Sequence, residues 1–172
     1  MHAELDLMVI APVLAILSWA TALLLIDVFL IADDKRKLTG YLALAGLGFT
    51  GLVALWVQAA VPIEPLTSIR SFNDMVVMDR FALMLTWVFL IVAAMTIAIS
   101  LEYLPHHGIE LGEYYPLVLF ATGAMLLLAQ STNLIVIFMS IELLSITLYI
   151  LTAFFYPRIA SEEAGMNTCC WG

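Results

Sequence analysis

Apolar residues gather in five long runs along the 172-residue chain, and the short stretches between them carry nearly all the charge. The runs extend from Leu7 to Ile31, Thr39 to Val61, Phe81 to Leu101, Tyr114 to Ser131, and Asn133 to Phe155. Each approaches or exceeds the roughly 17–25 residues with which a helix crosses the hydrocarbon of a bilayer. No water meets a free N–H or C=O there, so a single segment can span only as a helix. The pattern predicts an all-α, polytopic membrane bundle of about five transmembrane helices. Little more than Thr132 separates the last two runs, which predicts a tight antiparallel hairpin. The stretch "PIEPLTSIRSFNDMVVMDR", residues 62–80, reads as an amphipathic, irregular loop.

Composition agrees with this picture. The chain is 64% hydrophobic and 12% charged, with a mean hydropathy of +1.07. A soluble domain is nearer half apolar and about a quarter charged. The net charge of −8 comes from acids clustered in loops, which read as a solvated rim. Six Lys and Arg in total cannot build a phosphate-binding face, so nucleic acid is not an expected partner. Cys169 and Cys170 are adjacent and have no spaced partners, so they make neither a disulfide framework nor a zinc site. The pair His106–His107 has no third ligand near it in sequence and reads as exposed loop, so no metal is expected. The opening "MHAELD" lacks a basic segment, and the run after it is too long for a cleaved signal, so it is expected to remain as the first span. Lys35, Arg36, Lys37 and Arg158 fall on one side of the bilayer, and Arg70 and Arg80 on the other. The basic excess marks the inner side, which places the N-terminus outside.

Two polar features lie within the spans. Gly46, Thr50, Ala54 and Gln58 recur at four-residue spacing in the second, a small-residue stripe suited to close helix packing within the chain. The fifth carries Glu142 in "IFMSIELLSITLYIL", nine residues into the span. At 1.5 Å per residue that is roughly 14 Å deep, near the midplane. A central charge costs about 2.5–3.5 kcal/mol to insert, so an intramembrane acid is a functional candidate by default. A carboxyl that can gain and lose a proton is what a relay requires. On a continuous helix Ser131, Glu142, Ser145, Tyr149 and Thr152 share one sector of less than a quadrant, a polar stripe able to orient a carboxyl and hold water. Ser140 and Thr147 point elsewhere and are expected to bond back to their own helix. The competing reading makes Glu142 a neutral packing residue bonded to a neighbouring helix. Asp27, near the end of the first span, is expected to reach headgroups or pair with Lys35 or Arg36.

The stretch "AMLLLAQSTNLIVIFMSIELLSITLYILTAFF", followed by "SEEAGM", closely resembles the subunit N family of bacterial NADH–quinone oxidoreductase, respiratory complex I. The resemblance rests on Asn133 opening the fifth helix, then Phe138, Glu142–Leu143, Ser145 and Tyr149–Ile150. "SFNDMVVMDRFAL" is similar to the family's outer loop leading into its third helix. It covers residues 1 to 166, which would form one membrane domain, the N-terminal third of a roughly fourteen-helix antiporter-like subunit. The resemblance implies a proton-translocating subunit in the bacterial plasma membrane. Its partners would be the other membrane subunits of complex I and the bilayer. It would bind no cofactor of its own, NADH and quinone being used elsewhere in the complex. It further implies that Glu142 is one half of a Glu–Lys pair with its lysine on a later helix, whereas this sequence has no lysine after Lys37. Two alternatives stay open: a related cation/proton antiporter or membrane-hydrogenase subunit, and a helical scaffold or assembly protein without a relay.

The ending "GMNTCCWG" departs from the family's "GMKYLLLGA". Writing Met-Lys-Tyr-Leu-Leu-Leu-Gly as ATG AAG TAC CTG CTG CTG GGG and deleting the third base of the lysine codon gives Met-Asn-Thr-Cys-Cys-Trp-Gly. That matches residues 166 to 172. Residues 167–172 are thus expected to be a frameshifted tail, with no role for Cys169, Cys170 or Trp171.

Overall fold

A computed structural model describes residues 2–30, 36–60, 69–71, 75–106 and 112–153. The apolar runs become five helices: α1 (His2–Leu30), α2 (Arg36–Ala60), α3 (Arg80–His106), α4 (Tyr114–Gln130) and α5 (Leu134–Ala153). Four hold segments long and apolar enough to cross a membrane, namely Met8–Phe29, Leu38–Ala60, Arg80–Leu104 and Leu134–Ala153. The tail at 167–172 and the pair His106–His107 (His107 entirely, His106 in its side chain) lie outside the described residues.

The shortest helix holds the bundle together. α4 has 17 residues, about 25 Å of rise against a hydrocarbon core of about 30 Å. Eleven of them are buried, because α4 packs against α1, α2, α3 and α5 and against the strand segment. Its surroundings are protein, so its length need not match the lipid. The outer faces of α2, α3 and α5 expose Leu52, Ile91, Ile99, Leu134 and Phe138, as suits a hydrocarbon solvent.

Lipid gives apolar side chains little reason to leave it, so these helices adhere through close packing and hydrogen bonds. Small residues make that possible. A Cβ on Gly46 of α2 would overlap the Trp19 ring of α1, and one on Gly123 of α4 would crowd Leu17 and Ile16. Trp19 fills the space over Gly46, donates its Nε1–H to the Leu42 carbonyl at 3.0 Å, and stacks on Phe49 with centroids 5.8 Å apart. Thr50 and Ala54 of the small-residue stripe are fully buried, whereas Gln58 is exposed. The stripe serves packing within the chain over its first three positions.

The loop expected to be irregular contains a two-stranded antiparallel hairpin, a correction to the sequence reading. Here β1 (Ile69–Ser71) pairs with β2 (Val76–Met78), Ile69 opposite Met78. Val76 and Met78 turn inward, with Val77 between them half-buried. They join Val9, Val57 and Leu83 in a small cluster that closes one end of the bundle. Asp79 then starts α3, its carboxylate accepting the Ala82 N–H at 2.7 Å.

The glycine geometry yields a paired prediction. Gly46→Ala should destabilise the purified chain by about 1–3 kcal/mol, since the new methyl has to displace Trp19. Gly48→Ala, where a Cβ meets nothing within 4 Å, should be neutral or stabilise by about 0.5–1 kcal/mol through helix propensity. Unfolding midpoints in detergent, compared with the parent, separate the two.

Candidate functional site

The turn between α4 and α5 decides which way Glu142 faces. Asn133 caps α5, its side-chain oxygen accepting the Ile135 N–H at 2.8 Å and its carbonyl the Ile137 N–H at 3.0 Å. These bonds satisfy amides that the first turn of a helix leaves free. The asparagine expected to open the fifth helix does so. Thr132 N–H donates to the Met75 carbonyl at 3.0 Å, and Ser131 forms an antiparallel bridge with Val76. The hairpin end of the bundle therefore fixes the direction in which α5 departs.

One member of the expected stripe drops out. Ser131 is not on α5 at all. It ends α4 with extended backbone angles, φ −82° and ψ 134°, and its hydroxyl donates to the Leu128 carbonyl at 2.8 Å. Placing it with Glu142 assumed one continuous helix, whereas the Asn133 cap and the bridge to Val76 break the helix there.

The rest of α5 divides into two faces. Ser140 and Thr147, 0% and 3% exposed, lie seven residues apart on the side packed against α4. Each hydroxyl returns to its own helix, Ser140 to Val136 and Thr147 to Leu143, both at 2.7 Å. They bond as the sequence indicated, and their small size lets the helices approach. Glu142 lies two positions from Ser140, about 200° round the helix, so it points away from α4. It is exposed, and among the described residues it has no hydrogen-bond or ion-pair partner. It is the ninth of 20 residues in α5, about 12 Å from the helix start. Ser145 and Tyr149, on the same side, are half-buried, and Thr152 is exposed. Thr152 donates to the Tyr149 carbonyl at 2.9 Å. The structure thus groups Glu142, Ser145, Tyr149 and Thr152 on one outward face. The neighbour-bonded arrangement of Glu142 is not found among the described residues.

Asp27 behaves differently. Its carboxylate accepts the hydroxyl of Thr39 at 2.8 Å and lies against Gly112, where a Cβ would overlap it. Thr39 is fully buried. Lys35 and the side chain of Arg36, the partners expected from sequence, lie outside the described residues. Asp27 therefore ties α1 to the start of α2 and to the turn before α4. Glu113, at the N-cap of α4, makes no side-chain capping bond, and a carboxylate from α1 beside this end suits the positive pole of the helix dipole. The spacing of charges gave no sign of this contact, which depends on Gly112 having no side chain.

The site residues the sequence missed are thus few: Thr39 and Gly112 around Asp27, and the buried amide of Gln130 at the end of α4. Among the described residues no group of three His, Cys, Asp or Glu could hold a metal ion.

No family model matches the chain. Its curated relatives are consistent with one another. The chain is 55% identical, over 94% of its length, to NADH-quinone oxidoreductase subunit N of Chloroflexus aggregans. It is 49% identical over 88% to subunit N 2 of Roseiflexus castenholzii, and 40% identical over 88% to subunit N 1 of Herpetosiphon aurantiacus. It spans 32%, 29% and 29% of the length of these relatives. High identity across nearly the whole chain, together with membrane-length apolar helices, leads to one conclusion: the chain belongs to the NADH-quinone oxidoreductase subunit N family.

Proposed function

We propose that this chain is part of a proton-translocating membrane subunit of NADH–quinone oxidoreductase, in which Glu142 takes up and releases a proton as quinone is reduced elsewhere in the complex. One observation carries the reading. Glu142 stands near the middle of a membrane-length helix, on the face opposite the one packed against α4. A carboxyl turned toward hydrocarbon at that depth costs about 2.5–3.5 kcal/mol. The face is therefore suited to meet protein and water, with Ser145 and Tyr149 as hydroxyls that can order a bridging water. An opposite charge that approaches and withdraws alters how firmly a carboxyl holds its proton. The resemblance supplies such a charge as a lysine on a later helix of the subunit.

The same reading gives the setting. NADH and quinone are used by other parts of the complex, and this chain binds no redox cofactor. Its partners are the neighbouring membrane subunits and the lipid. On this reading the membrane is the bacterial plasma membrane, and the surplus of Lys and Arg after α1 favours an N-terminus outside.

Glu142→Gln, made in a complete subunit, should lower proton-coupled quinone reductase activity several-fold while the complex still assembles. Glutamine keeps the shape and the hydrogen bonds but carries no exchangeable acid. Proteoliposomes of the purified complex read the outcome, and pumping at the parental rate would remove Glu142 from the relay. The 172-residue chain alone should move no protons, because no opposite charge stands beside Glu142 among the described residues to change how it holds its proton. A pH-sensitive dye inside liposomes should respond as in empty controls, and a leak that depends on Glu142 would contradict the assignment.

A further inference from the structure

Most hydroxyl groups buried in these helices find acceptors one turn back, as Thr50, Thr86 and Thr122 do. Gln130 has no such recourse. It is 1% exposed, and both Oε1 and Nε2 are buried without a hydrogen-bond partner. A primary amide brings two donors and an acceptor, and leaving it dry among apolar groups is strongly unfavourable. Buried amides in folded proteins are met by protein groups or by ordered water.

A second orphaned group lies at the same level. Pro12 sits inside α1 and is buried. It has no N–H, so the Met8 carbonyl loses the donor that a helix would supply. Two routes bring Met8 and Gln130 together. Gly123 of α4 faces Ile16 and Leu17 of α1, and Gln130 is seven residues further along the same face. The helices run antiparallel: Asp27, late in α1, touches Gly112 before α4, so seven residues on α4 match about seven back on α1, reaching Val9. Independently, Val9 clusters with Val76, which bridges to Ser131, next to Gln130. Helical side chains lean toward the N-terminus, which tips the Gln130 amide toward the turn between Met8 and Pro12.

We infer that Gln130 and the Met8 carbonyl hold an ordered water between α1 and α4, a hydration site that joins two groups their own helices leave unsatisfied. The water accepts from Nε2–H of Gln130 and donates to the Met8 carbonyl, with its second hydrogen free for Oε1 or a further water. The site lies at the hairpin end, between helices packed through Gly123, and ties α1 to the end of α4.

The test is water-selective magnetic resonance on the isotopically labelled 172-residue chain in lipid nanodiscs. The Gln130 side-chain amide, identified by its loss in Gln130→Met or, if that variant does not fold, in Gln130→Asn, should show a cross-peak to a long-lived water. Pro12→Ala restores an N–H to the Met8 carbonyl and should weaken that cross-peak at least twofold, with the other amide signals unmoved. Absence of the cross-peak in the folded parent overturns the site. So does a rise of several degrees in the unfolding midpoint of Gln130→Met, the mark of a dry amide. A cross-peak unchanged in Pro12→Ala removes Met8 and with it the two-group site.

Discussion

Hydrocarbon offers a polypeptide no hydrogen bonds, and this constraint orders the rest of the structure. Backbone groups close on themselves in five helices, and most buried hydroxyls close on the carbonyl one turn back. Several polar groups that cannot do so are placed where something else meets them. Asn133 caps a helix, Asp79 caps another, and Asp27 meets Thr39. In water such groups could turn outward at small cost. In a bilayer each one fixes a position.

α4 is where these requirements meet. It is too short to suit lipid and is enclosed by protein on most sides. Close approach stands in for the hydrophobic drive that lipid removes, through Gly123 against α1 and through Ser140 and Thr147 of α5 against α4 itself. Both ends are secured by residues distant in sequence. Asp27 lies beside Gly112 at one end, and β2 bridges to Ser131 at the other. Any one of these contacts is modest, and together they leave α4 a single seat.

The orientation of α5 follows from that seat. Its small hydroxyl face goes to α4, and the turn that leads into it is held by Asn133 and by Thr132 on Met75. Glu142 then has to face the other way. A glutamate on the inner face would have been a buried, protein-locked group. On the outer face it can meet whatever packs there, and the relay reading of the subunit needs that freedom.

The number and type of the helices were determined by the sequence, because a length of apolar residues in lipid has no other way to satisfy its backbone. The helix-opening role of Asn133 and the back-bonding of Ser140 and Thr147 were equally legible, since each depends only on neighbours within a few residues. The hairpin left a weak local sign, two valines between Asn73–Asp74, residue types that favour turns, and Asp79, which the amphipathic, irregular pattern of the loop outweighed. The tertiary structure alone decided the remainder. It moved Ser131 off the stripe by bridging it to Val76, gave Asp27 to Thr39 and Gly112, and buried the amide of Gln130 at the end of α4. These outcomes depend on which helix faces come together across tens of residues, and periodicity along one helix carries no record of the neighbour it will meet.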